Sequence, residues 1–329
     1  MASTSDPVSG PASAGDPPMP SIAESLGLRP LNERMRQAMV ALRGAEDVPP
    51  SQFGLSSLRL LSPRLALPLW AGRFVVPRHA VVTNLFNHTQ TPPSEGWSVR
   101  RTQVRDFRGG SLTYDSHNGT DFAIPRGTPV VAPAPGRVAR IDHEFNRGGL
   151  KVMIDHGEGL CTCSAHLARA LVRVGDVLRR GQPFAVSGYS GLDGLVSFPF
   201  GIPHVHFNTW LDGEPVDPFA TGDEPSLWLG GAPTPPTGEG DEPFVPAEYD
   251  AEAVDESIAR CLTASVRERL AALPTLELRA THLIWERNYY PTRFPLKNSL
   301  YSRSHPRRPR LSLPFPARDF DGVVFADEL

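Results

Sequence analysis

Three segments of this chain carry histidines in patterns that suit metal chemistry: SHNGTDFA around His117, CSAHLAR around His166, and GIPHVHFNTW around His204 and His206. The apolar neighbours in PHVHF predict a strand, and on a strand residues two apart share a face, so His204 and His206 aim at one point. In HNGTD the Asn-Gly pair is a turn signal, and a turn lets His117 and Asp121 swing toward one centre as a nitrogen and an oxygen ligand. Zinc accepts both donor types at ~2.0–2.1 Å, and a catalytic site keeps a further position for water. Such a centre lowers the pKa of water and polarises a carbonyl, which is what amide hydrolysis requires. Taken singly, HxH is often two satisfied histidines on a strand, and HxxxD is no stronger in a chain with ten histidines. Their combination with His166 is what makes a site.

The elements that must position these residues read as β. TPVVAPAPGRVARI, LKVMIDHG, ALVRVGDVL and FAVSG are strand-like pieces between Gly-containing turns, with little helical periodicity. A compact antiparallel β-sheet domain over residues 101–220 is expected. Before it, residues 1–20 are Ser, Pro, Ala and Gly with almost no large apolar side chain and predict a disordered tail. Residues 21–100 predict a helix and a β-rich flank packing on the core. In that helix Ser21 and Glu24 form a possible capping box, and Leu31, Met35, Ala38 and Leu42 supply the apolar face. Residues 221–250 are Pro- and Gly-rich and suit an extended linker. Beyond it Val254, Ile258, Leu262, Val266 and Leu270 predict a helix stripe ended by Pro274, followed by an aromatic and basic segment (IWERNYYPTRF, SRSHPRRPR) read as a solvated, loosely packed tail.

Composition narrows the function classes. Thirty-five prolines against 29 glycines point to ordered loops rather than long helices, and a formal charge of −3 offers no bulk attraction to nucleic acid or an anionic membrane. No nucleic-acid partner is expected. Cys161, Cys163 and Cys261 are too few for a disulfide framework, and the first two read as buried filler on one strand face. No signal-peptide pattern or transmembrane run of ~18 apolar residues is visible, so localisation is left open.

Across His117–Pro218 the chain resembles the lysostaphin-like (LytM-type) zinc endopeptidases that cut peptide cross-links in bacterial cell walls. HxGxD with an apolar pair, GTPVVAPAPGRV, an HG and an HL pair, VxxGDxxxxGQ, PHxHF and a DP dipeptide occur in that order. The resemblance implies a mainly β fold, an antiparallel sheet groove of the duplicated hybrid motif type, with helical and irregular N- and C-terminal flanks. It implies zinc held by His117, Asp121 and His206, with His166 and His204 flanking the metal to activate water or stabilise the oxyanion. A peptide or peptidoglycan substrate, lying outside the cytoplasmic membrane, is implied too. His156, His79, His88, His143, His282 and His305 match no ligand position.

The chain departs from that pattern in three places. Ser164 stands where a tyrosine usually precedes the HL histidine, a longer stretch, LDGLVSFPFGI, precedes PHVHF, and Asn208 replaces a common acidic residue. A missing aromatic wall and a reshaped groove are the expected consequences. The alternative function, a non-catalytic module that binds cell-wall peptide or activates a partner, would be expected to have lost metal ligands, and none of the five positions is lost here. A biotin- or lipoate-type carrier, suggested by APAPGRV and VRVGDVLRRGQP, lacks the lysine at a hairpin tip.

Overall fold

The computed structural model describes residues 17–89, 97–237 and 243–329. Most of the expected disordered tail, and residues 238–242 of the expected linker, lie outside the described residues. Strands β1 (His79–Asn84), β2 (Thr120–Ala123), β3 (Pro129–Val131), β4 (Gly136–Glu144), β5 (Gly149–Asp155), β6 (Leu160–Ala170), β7 (Val177–Leu178), β8 (Pro183–Ser187), β9 (His204–Leu211), β10 (Glu214–Pro215) and β11 (Gly322–Phe325) form one sheet. Its main path runs β11-β1-β2-β9-β6-β5-β4-β7, with β10 beside β9 and with β8 bridging β3 to β6. All these pairings are antiparallel except β1 with β11. The expected mainly β, largely antiparallel core with helical flanks is the observed fold.

Helices α1 (Ile22–Ser25), α2 (Leu31–Arg43), α3 (Pro63–Trp70), α4 (Leu192–Ser197), α5 (Ala251–Ala259), α6 (Ala264–Ala271) and α7 (Leu276–Tyr289) lie in the flanks, apart from α4. No helix among the described residues is long and apolar enough to cross a membrane.

Alternation along the strands produces two cores. One holds Phe122, Val152, Ile154, Phe184, Val205 and Phe207 with Trp228, Leu313 and Phe315. The other packs Met153, Cys161, Cys163 and Trp210, from the opposite sheet face, under α5, α6 and α7 through Val254, Ile258, Val266, Leu270 and Trp285. Cys161 and Cys163 are buried and free, as filler residues should be. Burial pushes the Cys163 thiol up to about 12, so it stays neutral.

Four local expectations require correction. The stripe from Val254 to Leu270 is not one helix: α5 stops at Ala259, α6 starts at Ala264, and Leu262 is 70% exposed between them. On ~3.6 residues per turn a four-residue spacing drifts by roughly 40° per step, so one straight helix cannot bury all five positions. The break, where the Leu262 N–H donates to the Arg293 carbonyl, resets the phase. Helix α2 forms, but the apolar face assigned to the core is outward: Leu31 and Met35 are 61% and 62% exposed. Polar bonds set its rotation, Arg34 donating to the His143 carbonyl at 2.9 Å and Gln37 accepting from the Phe145 N–H at 2.8 Å.

The described part of 221–250 is not a free tether, since Leu227 and Trp228 are buried in the sheet core. The aromatic and basic C-terminal segment is packed rather than solvated. Tyr290, Phe294, Leu300 and Tyr301 are buried, and Arg307 and Arg310 donate to main-chain carbonyls. Arginines aimed at carbonyls bury their stems beside apolar surface, which composition does not reveal.

Candidate metal centre

Strand pairing builds the site. Asn84 on β1 is in register with Asp121 on β2, Asp121 with His206 on β9, and His206 with Ala165 on β6, so one row crosses four strands. His206 Nδ1 lies 2.8 Å from Asp121 Oδ1. His117 enters from the turn ahead of β2, its Nε2 being 3.0 Å from Asp121 Oδ1 and 3.2 Å from His206 Nδ1. Gly119 makes this approach possible: a Cβ there would sit 2.6 Å from the Phe207 carbonyl oxygen and 2.9 Å from His206 Nε2.

The donor set fits a zinc ion. A tetrahedral centre with bonds of ~2.0–2.1 Å holds its ligands roughly 3.3 Å apart, close to the three separations found here. Among the described residues this is the group of His, Cys, Asp and Glu side chains with ligand atoms close enough to share a metal. The surrounding bonds orient the donors in the manner of a metal site. His117 Nδ1 faces the Leu85 carbonyl at 2.7 Å, which leaves Nε2 with its lone pair toward the cluster. Asn84 Nδ2 donates to Asp121 Oδ2 at 2.9 Å, on the oxygen turned away from the histidines.

Electrostatics favour ligand protonation states. Burial raises the Asp121 carboxyl, but the charges and hydrogen bonds of His117, His204 and His206 outweigh it and hold it well below the usual carboxylate range. Burial pulls His206 down to about 4 against the attraction of Asp121, so at neutral pH it is a neutral imidazole.

His166 and His204 lie beside this cluster with ring centroids 4.7 Å apart. Each is tied by Nδ1 to a carbonyl, His166 to Ser190 at 2.8 Å and His204 to Ile202 at 2.7 Å. Both Nε2 atoms are thereby left as proton acceptors. His204 Nε2 is 3.7 Å from Asp121 Oδ1. His166 has a left-handed backbone, φ 59°, at an irregularity where Leu150 pairs with Leu167 and Val152 with Ser164. That conformation is uncommon for a non-glycine residue and is held by the His166 N–H bond to the Gly148 carbonyl. Burial and the nearby His204 lower His166 to about 3.

His143 and His156, which share the core, are elsewhere: His143 lies against Gly27, and His156 bonds Thr162 and the Pro135 carbonyl. The expected gap in the aromatic wall is filled from other segments. The Tyr189 ring packs on His204 at 4.8 Å and on His166 at 5.4 Å, and Tyr114 packs on His117 at 4.5 Å. The longer stretch before PHVHF forms α4, whose Asp193 Oδ2 reaches within 3.5 Å of His166 Nε2. Asn208 donates to the Asn118 side chain at 2.9 Å, and Asn118 donates to Asn288 on α7 at 2.9 Å.

A groove passes over the cluster. One half, about 230 Å³, lies over His117, His166 and His206 and is walled by Asn118, Asn288 and Tyr289. The other, about 280 Å³, reaches Asp121 and His204 between the 3-10 turn Leu55–Leu60 and α4. Asn84, Tyr189, Asp193 and Asn288 were not among the residues singled out from sequence. Only Asp193, an acidic residue inside the longer stretch before the HxH, carried a local signal.

Parts of the chain are similar to known proteins. Residues 115–218 match peptidase family M23. An uncharacterized metalloprotease of Haemophilus influenzae is 30% identical over 148 residues, 45% of this chain and 26% of that protein. The peptidoglycan DD-endopeptidase ShyA of Vibrio cholerae is 38% identical over 103 residues, 31% of this chain and 22% of that protein. The chain thus spans about a quarter of the length of these two relatives. Among solved structures, a zinc containing peptidase from Vibrio cholerae is similar at 28% identity and a TM-score of 0.29, over 45% of this chain and 41% of that one. The matched stretch contains His117, Asp121 and His206 of the cluster as well as the neighbouring His166 and His204, and over residues 115–218 the chain is similar to peptidase family M23.

Proposed function

We propose that this chain is a zinc-dependent endopeptidase that hydrolyses amide bonds in the stem or cross-bridge peptides of peptidoglycan. The convergence of His117 Nε2, Asp121 Oδ1 and His206 Nδ1 within 2.8–3.2 Å of one another carries the reading. These three atoms would hold the metal, which when bound would supply a Lewis acid that acidifies water and polarises the scissile carbonyl. His166 and His204, each tied by Nδ1 to a carbonyl so that Nε2 is the proton-accepting atom, take the proton of the attacking water and, once protonated, steady charge on the substrate oxygen and pass the proton to the leaving amine. Tyr189 keeps both rings in place by edge contacts. No side chain serves as a covalent nucleophile.

The groove suits an extended peptide, and the relative named a peptidoglycan DD-endopeptidase supports the substrate class. The deciding experiment measures zinc content of the purified chain together with release of soluble fragments from peptidoglycan, with Asp121→Ala as control. Stoichiometric zinc with metal-dependent release is expected. Zinc without release rules out this substrate, and absence of zinc moves the chain to a binding module.

A further inference from the structure

We propose that the half of the groove between the Leu55–Leu60 turn and α4 is a subsite for a substrate residue bearing a free carboxylate, recognised by Arg59 and Arg101. The inference rests on the peptidase reading above and names the kind of peptide it takes.

Leu58, Leu61, Val196 and Ile202 supply aliphatic walls, while Arg59 and Arg101 line the same cavity as Asp121 and His204. Arg101 is placed by two bonds, Nη1 to the Ser111 carbonyl and Nη2 to Asn84 Oδ1, each at 3.1 Å. Since Asn84 bonds Asp121 in turn, this guanidinium stands two hydrogen bonds from the metal cluster. Its Nε has no hydrogen-bond partner. Five N–H donors with two engaged leave Arg101 with donor capacity to spare. Arg59 is exposed on the 3-10 turn and makes no hydrogen bond or ion pair among the described residues.

The two cations line one cavity and are close enough for the charge of each to act on the other. Burial, and next the charge of Arg59, pull the Arg101 guanidinium below its ordinary value. The carboxyls that reach this half are engaged elsewhere, Asp121 with His117, His206 and Asn84, and Asp193 toward His166. Paired guanidinium groups beside apolar walls call for an anion on an apolar body, and a guanidinium fork matches a carboxylate. In a groove that binds peptide over an amide-cleaving cluster, the anion is a carboxylate of the peptide itself.

The test uses the zinc-loaded full chain and two probes, N-acetyl-trialanine with a free C-terminal carboxylate and the same peptide as its C-terminal amide, with affinities read by calorimetry. The acid is expected to bind at least about tenfold tighter, the effect of one charge-assisted contact. Arg59→Gln should bring that ratio toward one with zinc content unchanged, Arg101→Gln should bring it toward one as well, and Arg59→Lys should keep part of the preference. Because Arg101 also supports Asn84, the exposed Arg59 variant is the one free of structural side effects. Equal affinities for wild type, no measurable binding of the acid, or a preference that persists in both glutamine variants through capture by the metal overturns the proposal. Fragment release from peptidoglycan is measured alongside. Cleavage without acid preference sinks the subsite alone, whereas acid preference without cleavage sinks the peptidase reading alone.

Discussion

Asn84 and Asp121 are cross-strand partners, and the Asn84 amide donates at 2.9 Å to the Asp121 oxygen that faces away from the histidines. That bond leaves Oδ1 toward His117 and His206, so a neutral side chain outside the cluster orients the carboxylate proposed to hold zinc. Removing partners of this kind costs roughly 10–100-fold in metal affinity. Asn84→Ala should therefore weaken zinc by about that factor while the fold persists, as read by chelator competition and circular dichroism. Unchanged affinity would show that the strand alone orients Asp121.

His206 and His166 should separate cleanly. His206→Ala removes a donor atom from the cluster and should abolish stoichiometric zinc. His166→Ala should leave zinc bound and remove turnover, because His166 faces the site from beside His204 and is outside the donor triangle. Equal metal loss in both variants refutes the division of roles.

Gly119→Ala tests the close approach of the turn to β9. The added methyl would lie 2.6 Å from a carbonyl oxygen, and backbone cannot yield as a side chain can. Overpacking costs about 1–3 kcal/mol. The melting temperature should drop and zinc affinity should fall with it, since His206 Nε2 is 2.9 Å from the same methyl. A variant as stable as wild type would mean that the turn relaxes freely.

Acid sensitivity should come in part from His156. Burial lowers this imidazole to about 3, and it is held between Thr162 and the Pro135 carbonyl. Its folded value is below the ~6.5 of an unfolded chain, so the unfolded state binds more protons between the two. The contribution is fully present above pH ~6.5 and is lost as pH falls toward 3. His156→Gln should flatten the stability profile in that window by up to about 1.4 kcal/mol per pH unit. Neighbouring Asp155, raised to about 6 chiefly by burial, works with the opposite sign, is present in both proteins and cancels in the comparison. Urea midpoints measured from pH 4 to 7 decide it, and parallel profiles would remove His156 from the account.

Deleting residues 251–329 should leave an insoluble or unfolded core. Trp210, Cys161, Cys163 and Met153 form a sheet face that α5, α6 and α7 cover, and Trp285 packs on Trp210 at 6.0 Å. Exposing that contiguous apolar face removes burial that no other described element supplies. A soluble truncation with a sharp thermal transition would show that the sheet is self-sufficient.

The local patterns along the chain determined a good deal of this. Strand periodicity and turn glycines set a mostly antiparallel sheet, and a period of two put His204 and His206 on one face before any partner strand was known. The HNGTD turn carried His117 and Asp121 within reach of each other for the same reason, because its geometry is local. Tertiary structure decided what depended on neighbours distant in sequence. Asn84, Tyr189 and Asn288 reach the site through strand register and helix docking, and no spacing within their own segments marks them. The rotation of α2 went to Arg34 and Gln37 rather than to its apolar stripe, since hydrogen bonds to main-chain groups of β4 and the following turn outweighed a pattern that propensity alone would follow. The C-terminal basic segment packs for a comparable reason: its arginines find carbonyls only once the sheet brings those carbonyls to them. Periodicity is written along a chain, while register and the partners of buried polar groups exist only after distant segments meet.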